Sequence, residues 1–185
     1  LLSSAAALGG AALLPACGKT PPIDGQGALS AANDVLGAAT NFMLESYPET
    51  ASSAGIDTGK YAHLKSKLTD RSAAGQAKIA SGVRDLLAQL KAINTDNLPP
   101  DTALNVDVVR TIFDMTADGF DFKFGDNPLL NANWSYRPSP YVVAQNVGAF
   151  VEIPSFLGAN HKIEMGEDGA SYLARLEAYA AQLDG

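Results

Sequence analysis

The sequence has little of what a disulfide-stabilised domain or a metal centre requires. Its 185 residues include one cysteine, so no disulfide can form within the chain and packing alone must hold the fold. The two histidines, His63 and His161, have no second histidine or cysteine placed to complete a metal site. We interpret both as solvated or hydrogen-bonded structural residues.

Catalytic motifs are also absent. The sequence has no His-Glu-x-x-His, no Gly-x-Ser-x-Gly, no phosphate loop and no dinucleotide fingerprint. Asp114, Asp118, Asp121 and Asp126 do not follow the spacing of a calcium loop, which favours a solvated helix end. The sequence therefore predicts no catalytic residue, no metal ligand and no cofactor in this chain.

Basic residues are scarce. Thirteen Lys and Arg against twenty Asp and Glu give a formal net charge of −7, so no basic field exists to attract phosphates. We therefore expect no nucleic-acid partner. A hydrophobic content of 46% with 18% charged residues is typical of a folded globular domain and excludes a disordered chain.

Charge is absent from the first fifteen residues, which are rich in Leu, Ala and Gly. This stretch is shorter than the roughly 20 residues of a membrane-spanning helix. It ends in Leu13-Leu14-Pro15-Ala16-Cys17, where small Ala16 precedes the bond to be cleaved, Leu14 lies three places before the cysteine, and Cys17 supplies the thiol for a diacylglyceryl chain. The pattern predicts a bacterial lipoprotein signal peptide over residues 1–16 and lipidation of Cys17. A buried Ala-rich helix with a core cysteine is the alternative.

Lipidation would anchor the chain to a bilayer surface without spanning it, because each buried methylene contributes about 0.8 kcal/mol. Membrane lipid is then a partner through Cys17. We expect the protein at the bacterial cell envelope, on the periplasmic or extracellular face. Residues 17–27 contain two prolines and three glycines, and we predict that they form a flexible tether.

A helical domain is predicted over residues 28–185. Apolar spacing of three and four marks one helix from Leu29 that Pro48 ends, and a second from Ala73 to Ile93 that Asp70 or Ser72 caps. A short link then leads to a third helix near Asp101, with Leu98 packing on its first turn. The second and third helices should pack as an antiparallel hairpin.

The remaining elements follow from shorter patterns. The third helix should bury Leu104, Val108, Ile112 and Met115, with Val109 and Phe113 widening the stripe. A strand is predicted over 120–124, a helix from Ser139-Pro140 that Pro154 interrupts, and a last helix after Glu167-Asp168. The last helix should bury an apolar stripe of six residues: Tyr172, Leu173, Leu176, Tyr179, Ala180 and Leu183.

The predicted fold class is therefore mainly α, an antiparallel helical bundle or array with one short strand-like segment. We expect it to be the N-terminal part of a larger helical protein that continues beyond residue 185. Apolar helix faces awaiting that missing C-terminal half would be exposed in this chain.

Seven short segments between about Asn41 and the end of the chain form an ordered set: residues 47–51, 55–57, 68–72, 104–110, 140–145, 154–157 with His161, and 172–176. In this order they resemble the N-terminal half of the bacterial lipoprotein family called domain of unknown function 885 (DUF885).

The resemblance implies a longer, mostly helical protein whose C-terminal half carries a His-Glu-x-x-Pro-Gly-His-His motif similar to those of zinc peptidases. The full-length protein would then be an extracytoplasmic, zinc-dependent hydrolase of peptide-like substrates, and this chain an inactive N-terminal part. By analogy, Tyr141, Gln145 and His161 would line the cleft. The alternative is a complete small envelope lipoprotein that binds a partner or ligand without catalysis.

Overall fold

The computed structural model of the protein describes residues 25–122, 130, 143–145 and 147–184. Within these residues the chain is mainly α, as predicted. Its elements are α1 (Gly25–Ser46), α2 (Pro48–Ser53), a 3₁₀ helix (Gly59–Ser66), α3 (Ala73–Ala92), α4 (Pro100–Gly119), α5 (Ala149–Ala159) and α6 (Gly166–Asp184). Extended pairing among these residues is limited to one isolated bridge between Ala144 and Val147.

Helices α1, α3 and α4 pack on one another and enclose the largest apolar core. The apolar face predicted for α3 is the buried one, since Val83 and Leu90 are fully covered. The predicted spacing of α1 is also confirmed, with Ala32 and Ala39 buried along the helix. The buried members of the core are Ala39, Tyr47, Ile79, Val83, Leu86, Leu87, Leu90, Phe113 and Leu130.

The predicted antiparallel hairpin of α3 and α4 is confirmed. Lys91, near the end of α3, pairs with Asp114, whereas the earlier Arg84 pairs with Asp121 just beyond α4. Later residues of α3 thus meet earlier residues of the α4 segment, which is possible only if the helices run in opposite directions. The link is short, so the two helices pack as neighbours along the chain.

The caps explain where these helices begin. Ser72 is the N-cap of α3, and its hydroxyl accepts from the backbone N–H of Gly75 at 3.1 Å. Asp70 in turn accepts from the backbone N–H and the hydroxyl of Ser72. At α4, Leu98 and Ala103 belong to one apolar cluster on either side of the first turn, as a hydrophobic staple requires.

A second group of elements packs beside the three-helix unit. Leu44, Ala51 and Leu64 join α1, α2 and the 3₁₀ helix, while Ile153, Phe156 and Leu157 join α5 to α6. Helix α6 also packs along the 3₁₀ helix. Helix α2 and the 3₁₀ helix are not predicted from the sequence, because each is too short for an apolar period to emerge.

The faces predicted for α4 and α6 are wrong. Helix α4 buries Val106, Phe113 and Thr116, and it leaves four predicted core residues exposed: Leu104, Val108, Ile112 and Met115. Helix α6 turns inward the side that carries Asp168 and Arg175, with Tyr172 and Tyr179 packed on α5. Three of its predicted core leucines are exposed: Leu173, Leu176 and Leu183. Each helix carries apolar residues on the side away from the core.

Two predictions between α4 and α5 also require correction. Residues 120–122 form the turn that ends α4, so they do not begin a strand, and 123–124 lie outside the described residues. The predicted helix from Ser139 does not continue through 143–145, which form a bend, a bridge residue and a turn in that order. Gly148 has φ of +120°, a conformation that favours glycine and cannot occur within a right-handed helix. Helix α5 therefore begins only after it.

Pro154 does not interrupt a helix, since it lies inside α5 on the exposed side, where its ring meets solvent and one backbone hydrogen bond is given up. Helix α1 begins at Gly25, so the last three residues of the predicted tether are helical. Cys17, the predicted signal peptide and residues 17–24 lie outside the described residues. None of the helices in the described part is long and apolar enough to cross a membrane.

Candidate functional site

The three predicted cleft residues have different settings. His161 is buried just after α5, with about 8% of its surface exposed. Gln145 is exposed in a turn, so it does not lie on the helix that would have placed it one turn from Tyr141. Tyr141 lies outside the described residues. The cleft-lining role of these three residues stays a prediction. His161 belongs to a buried polar cluster around Arg175.

Arg175 of α6 is the largest fully buried side chain among the described residues. Its Nε donates to the carbonyl of Lys67 at 2.9 Å, and Nη2 donates to the carbonyl of Leu64 at 3.1 Å and to Oγ of Ser52 at 2.8 Å. Nη1 lies 2.8 Å from Nδ1 of His161. The guanidinium thus joins α6 to α2, to the 3₁₀ helix and to the segment after it.

No carboxylate contacts this guanidinium within the described residues, which is unusual for a buried charge. Burial lowers the pKa of Arg175 to about 10, against the attraction of Glu49 and Asp57, which raises it. The side chain therefore stays charged at neutral pH. Asp57 is linked through a hydroxyl, because Ser52 donates to its carboxylate at 2.7 Å and accepts from Arg175. The ring of Phe156 covers the guanidinium carbon at 4.9 Å.

His161 is held in one tautomer. Arginine can only donate, so Nδ1 of His161 must accept from Arg175 and carries no proton. Nε2 therefore carries the hydrogen and donates to the carbonyl of Asp168 at 3.0 Å. The ring of Tyr172 meets the imidazole edge-on, with centroids 5.2 Å apart. The predicted hydrogen-bonded structural role of His161 agrees with this arrangement.

An ion pair lies beside the histidine. Lys65 of the 3₁₀ helix pairs with Asp168, whose other carboxylate oxygen accepts from the backbone N–H groups of Glu164 and Met165 at 2.8 and 2.9 Å. The hydrogen bond from Lys65, followed by those two amides, lowers the pKa of Asp168 to about 2. The acidic start predicted for α6 thus caps the helix and also fixes it to the 3₁₀ helix.

A polar cavity of about 460 Å³ adjoins this cluster between the ends of α2 and α5. Ser52, Asp57 and Lys65 face it from one side, and Asn160 and Lys162 from the other. Such a cavity suits a small polar molecule. It lacks the parts of a nucleophilic site, because both nitrogens of His161 are engaged and neither is free to take a proton from Ser52.

A second cavity of about 350 Å³ lies between residues 68–72 and the C-terminal half of α6. Arg71 borders it and pairs with Glu152 of α5. Gln182 borders it from α6 and donates to the carbonyl of Thr69. Thr69 in turn donates from its backbone N–H and its hydroxyl to the buried carboxylate of Glu49. These bonds continue the polar network from Arg175 along the same side of α6.

The other predicted polar residues have ordinary surface settings. His63 is exposed, and its Nε2 pairs with Glu45 while Nδ1 lies 3.1 Å from the carbonyl of Lys60. Asp114 and Asp121 of the acidic cluster are in ion pairs with α3, and Asp126 lies outside the described residues. Across the part of the chain that the structure describes, no three His, Cys, Asp or Glu side chains are grouped to hold a metal ion.

Arg175 is a site residue that the sequence alone does not predict. Arg175 lies between leucines and tyrosines, and the buried face of α6 was predicted from these apolar residues alone. The carbonyls that accept its hydrogen bonds are more than a hundred residues away in the sequence. The one available signal was its position in residues 172–176, one of the segments that carry the family resemblance. Glu49, Asp57, Thr69 and His161 belong to other segments of that set.

Comparison with known proteins gives one result. The model of the family described as "Bacterial protein of unknown function (DUF885)" matches residues 48–185. No curated protein and no solved structure matches the chain.

Proposed function

The chain belongs to the DUF885 family, and from that premise we propose that it is the N-terminal, non-catalytic part of a lipid-anchored hydrolase that resembles zinc peptidases and acts outside the cytoplasm. A catalytic zinc would be held by polypeptide beyond this sequence. The residues described here do not fit a metal, since they offer no group of three ligands. No step of a zinc reaction is therefore assigned to them.

The observation that carries the proposal is the pair of exposed apolar helix faces. On α4, Leu104 is 62% exposed and Met115 is 54% exposed, with Val108 and Ile112 between them. At a rise of 1.5 Å per residue this stripe is about 16 Å long. On α6, Leu173 is 61% exposed. Exposed apolar surface of this extent is typical of a docking face.

Helix α4 carries apolar residues on two sides, which is typical of a helix packed between two neighbours. Its buried residues Val106, Phe113 and Thr116 face the core of the three-helix unit, while the exposed stripe lies on another side of the helix. At 100° per residue the two faces are more than a third of a turn apart, so one neighbour cannot cover both. We propose that the remaining polypeptide covers the exposed faces of α4 and α6. Burial would contribute about 1.5–3 kcal/mol for each large apolar side chain.

The anchoring part of the proposal depends on the N-terminal sequence. Cys17 follows a charge-free segment with a small residue before it, which suits lipoprotein processing. A lipid chain on its sulfur would hold the protein at the envelope. Metabolic labelling with radioactive palmitate should mark the expressed protein, and the Cys17→Ser variant should remain unlabelled. An unlabelled parent protein would contradict lipid anchoring.

The catalytic part is tested with the genomic reading frame. We expect it to continue past Gly185 and to encode the His-Glu-x-x-Pro-Gly-His-His motif. The purified longer protein should bind zinc and cleave peptides, whereas residues 18–185 should do neither. Chelator-sensitive peptide hydrolysis by residues 18–185 would contradict the proposal. A stop codon directly after Gly185 would instead favour a small lipoprotein whose exposed faces bind a separate partner.

The apolar faces give an independent test. Val108→Asp should leave the stability of the present chain within about 0.5 kcal/mol, because the side chain is exposed. In the longer protein the same change would bury an unpaired charge and should cost several kcal/mol. Ala77→Asp, at an exposed position of α3, is the matched control and should be mild in both proteins. Equal effects of Val108→Asp in the two proteins would show that this face stays uncovered.

A further inference from the structure

The bond between Arg175 and His161 requires an unprotonated histidine. Nη1 of Arg175 lies 2.8 Å from Nδ1 of His161, and a guanidinium cannot accept a hydrogen bond. The second ring nitrogen already donates to the carbonyl of Asp168. A proton added to His161 must therefore bind at Nδ1, where it would point at the N–H of Arg175 and break the bond.

The surroundings offer the protonated ring little compensation. The charged groups that act on His161 are Arg175 and Asp168 of α6 and Lys65 of the 3₁₀ helix; the two cations oppose the added proton, and the carboxylate of Asp168 favours it. The carboxylate of Asp168 is already engaged by Lys65 and by two backbone amides. Helix α5 contributes the ring of Phe156, which packs against the guanidinium of Arg175 and carries no charge. The α2 side contributes the Ser52 hydroxyl, with Asp57 and Glu49 acting on Arg175 from farther away.

Burial lowers the pKa of His161, and the charges of Arg175 and Lys65 lower it further, while the hydrogen bond to the carbonyl of Asp168 and the charge of its carboxylate raise it. The folded chain therefore resists protonation at a pH where the unfolded chain accepts it. At this site the unfolded chain binds more protons below the ordinary histidine value of 6.5, so the contribution of His161 to stability declines as the pH falls below that value.

We infer that His161 and Arg175 form an acid-sensitive latch that holds α6 against α2 and the 3₁₀ helix and releases it when His161 is protonated. Arg175 supplies four of the hydrogen bonds between α6 and the rest of the chain. Protonation of His161 would break the one to Nδ1 and place a second cation against the guanidinium, so the destabilisation should be concentrated at α6. Release would uncover Phe156, which packs on the guanidinium, while the core of α1, α3 and α4 would keep its contacts. This inference does not depend on the proposed function.

The test compares the parent chain with His161→Gln. A glutamine offers an amide oxygen that can accept from Arg175 and an N–H₂ that can donate to Asp168, and it does not titrate. We expect His161 to raise the unfolding equilibrium constant of the parent, measured in urea titrations, by up to about tenfold for each pH unit between 6.5 and the lower pKa of His161 in the folded chain. The rise should be smaller in His161→Gln. His63→Gln, which removes the exposed histidine, is the matched control and should retain the parent's response.

Two further measurements decide the outcome. The chain has two histidines, so the imidazole C–H signals of His161 and His63 can be separated by nuclear magnetic resonance, and His161 should titrate at a pH below 6.5. Hydrogen exchange at about pH 5, corrected for intrinsic rates, should show α6 losing protection before α3 in the parent. Titration of His161 at or above 6.5, or equal acid sensitivity of the parent and His161→Gln, would overturn the latch. If His161→Gln fails to fold, the titration of His161 in the parent decides.

Discussion

The contact between Gly82 of α3 and Phe42 of α1 gives a prediction whose sign can be worked out. A Cβ atom placed on Gly82 would lie 2.2 Å from Cε2 and 2.7 Å from Cζ of Phe42. Nonbonded carbons approach to about 3.5 Å, so the ring would have to move by more than about 1 Å. Phe42 also packs against Phe113, with ring centroids 6.4 Å apart, so its displacement would disturb the core.

Gly82→Ala combines two opposing effects. Overpacking costs about 1–3 kcal/mol, while replacing a glycine inside a helix stabilises by about 0.5–1 kcal/mol. Gly37→Ala, inside α1, is the matched control because its Cβ would meet nothing within 4 Å, and it should only stabilise. The free energy of unfolding of Gly82→Ala should therefore lie about 1–3 kcal/mol below that of Gly37→Ala.

Urea denaturation of the two variants measures this difference directly. A double-mutant cycle identifies its cause, because removing the ring in Phe42→Ala should remove the clash. In that background Gly82→Ala should become neutral or stabilising. If Gly82→Ala stabilised the parent chain as much as Gly37→Ala does, the close packing of α1 against α3 would be refuted.

Three shorter predictions concern a cap, an ion pair and the core. Ser72→Ala should lower the free energy of unfolding by about 1 kcal/mol in urea denaturation, because the N–H of Gly75 loses its acceptor. The pKa of Asp168 is lowered to about 2, so its pairing with Lys65 stabilises the fold above the ordinary value of 3.8, and this contribution should disappear as the pH falls towards 2. Asp168→Asn should flatten that part of the stability curve in acid titrations followed by circular dichroism. Phe113→Ala should cost about 3–5 kcal/mol in urea denaturation, since the ring is 3% exposed in the main core.

The sequence predicted the α3–α4 hairpin well because its signals were local. A Ser72 cap, a regular apolar spacing and a short link with Leu98 all lie within neighbouring residues, and the structure uses each of them. Helix α4 shows what such local signals cannot decide. It carries apolar residues on two sides, and periodicity alone cannot tell which side meets the core. Val109 and Phe113, predicted to widen the stripe, belong to the buried side instead.

The prediction of the buried face of α6 was wrong for a different reason. Its inward side is polar, with Arg175 and Asp168 buried, so its leucines gave the wrong face. A buried arginine is tolerated only because carbonyl groups and His161 are placed to receive its hydrogen bonds. Those partners come from distant parts of the chain, and nothing in the neighbouring sequence indicates them. His161 was named from the sequence, but Arg175, the residue at the centre of the polar cluster that contains it, was not.

The distance in sequence between Arg175 and its partners sets the order in which the two sides of this contact are synthesised. The carbonyls of Leu64 and Lys67 leave the ribosome more than a hundred residues ahead of the guanidinium that binds them. At bacterial elongation rates this interval is roughly 5–20 s. These carbonyls must therefore remain hydrated until α6 follows and displaces their water.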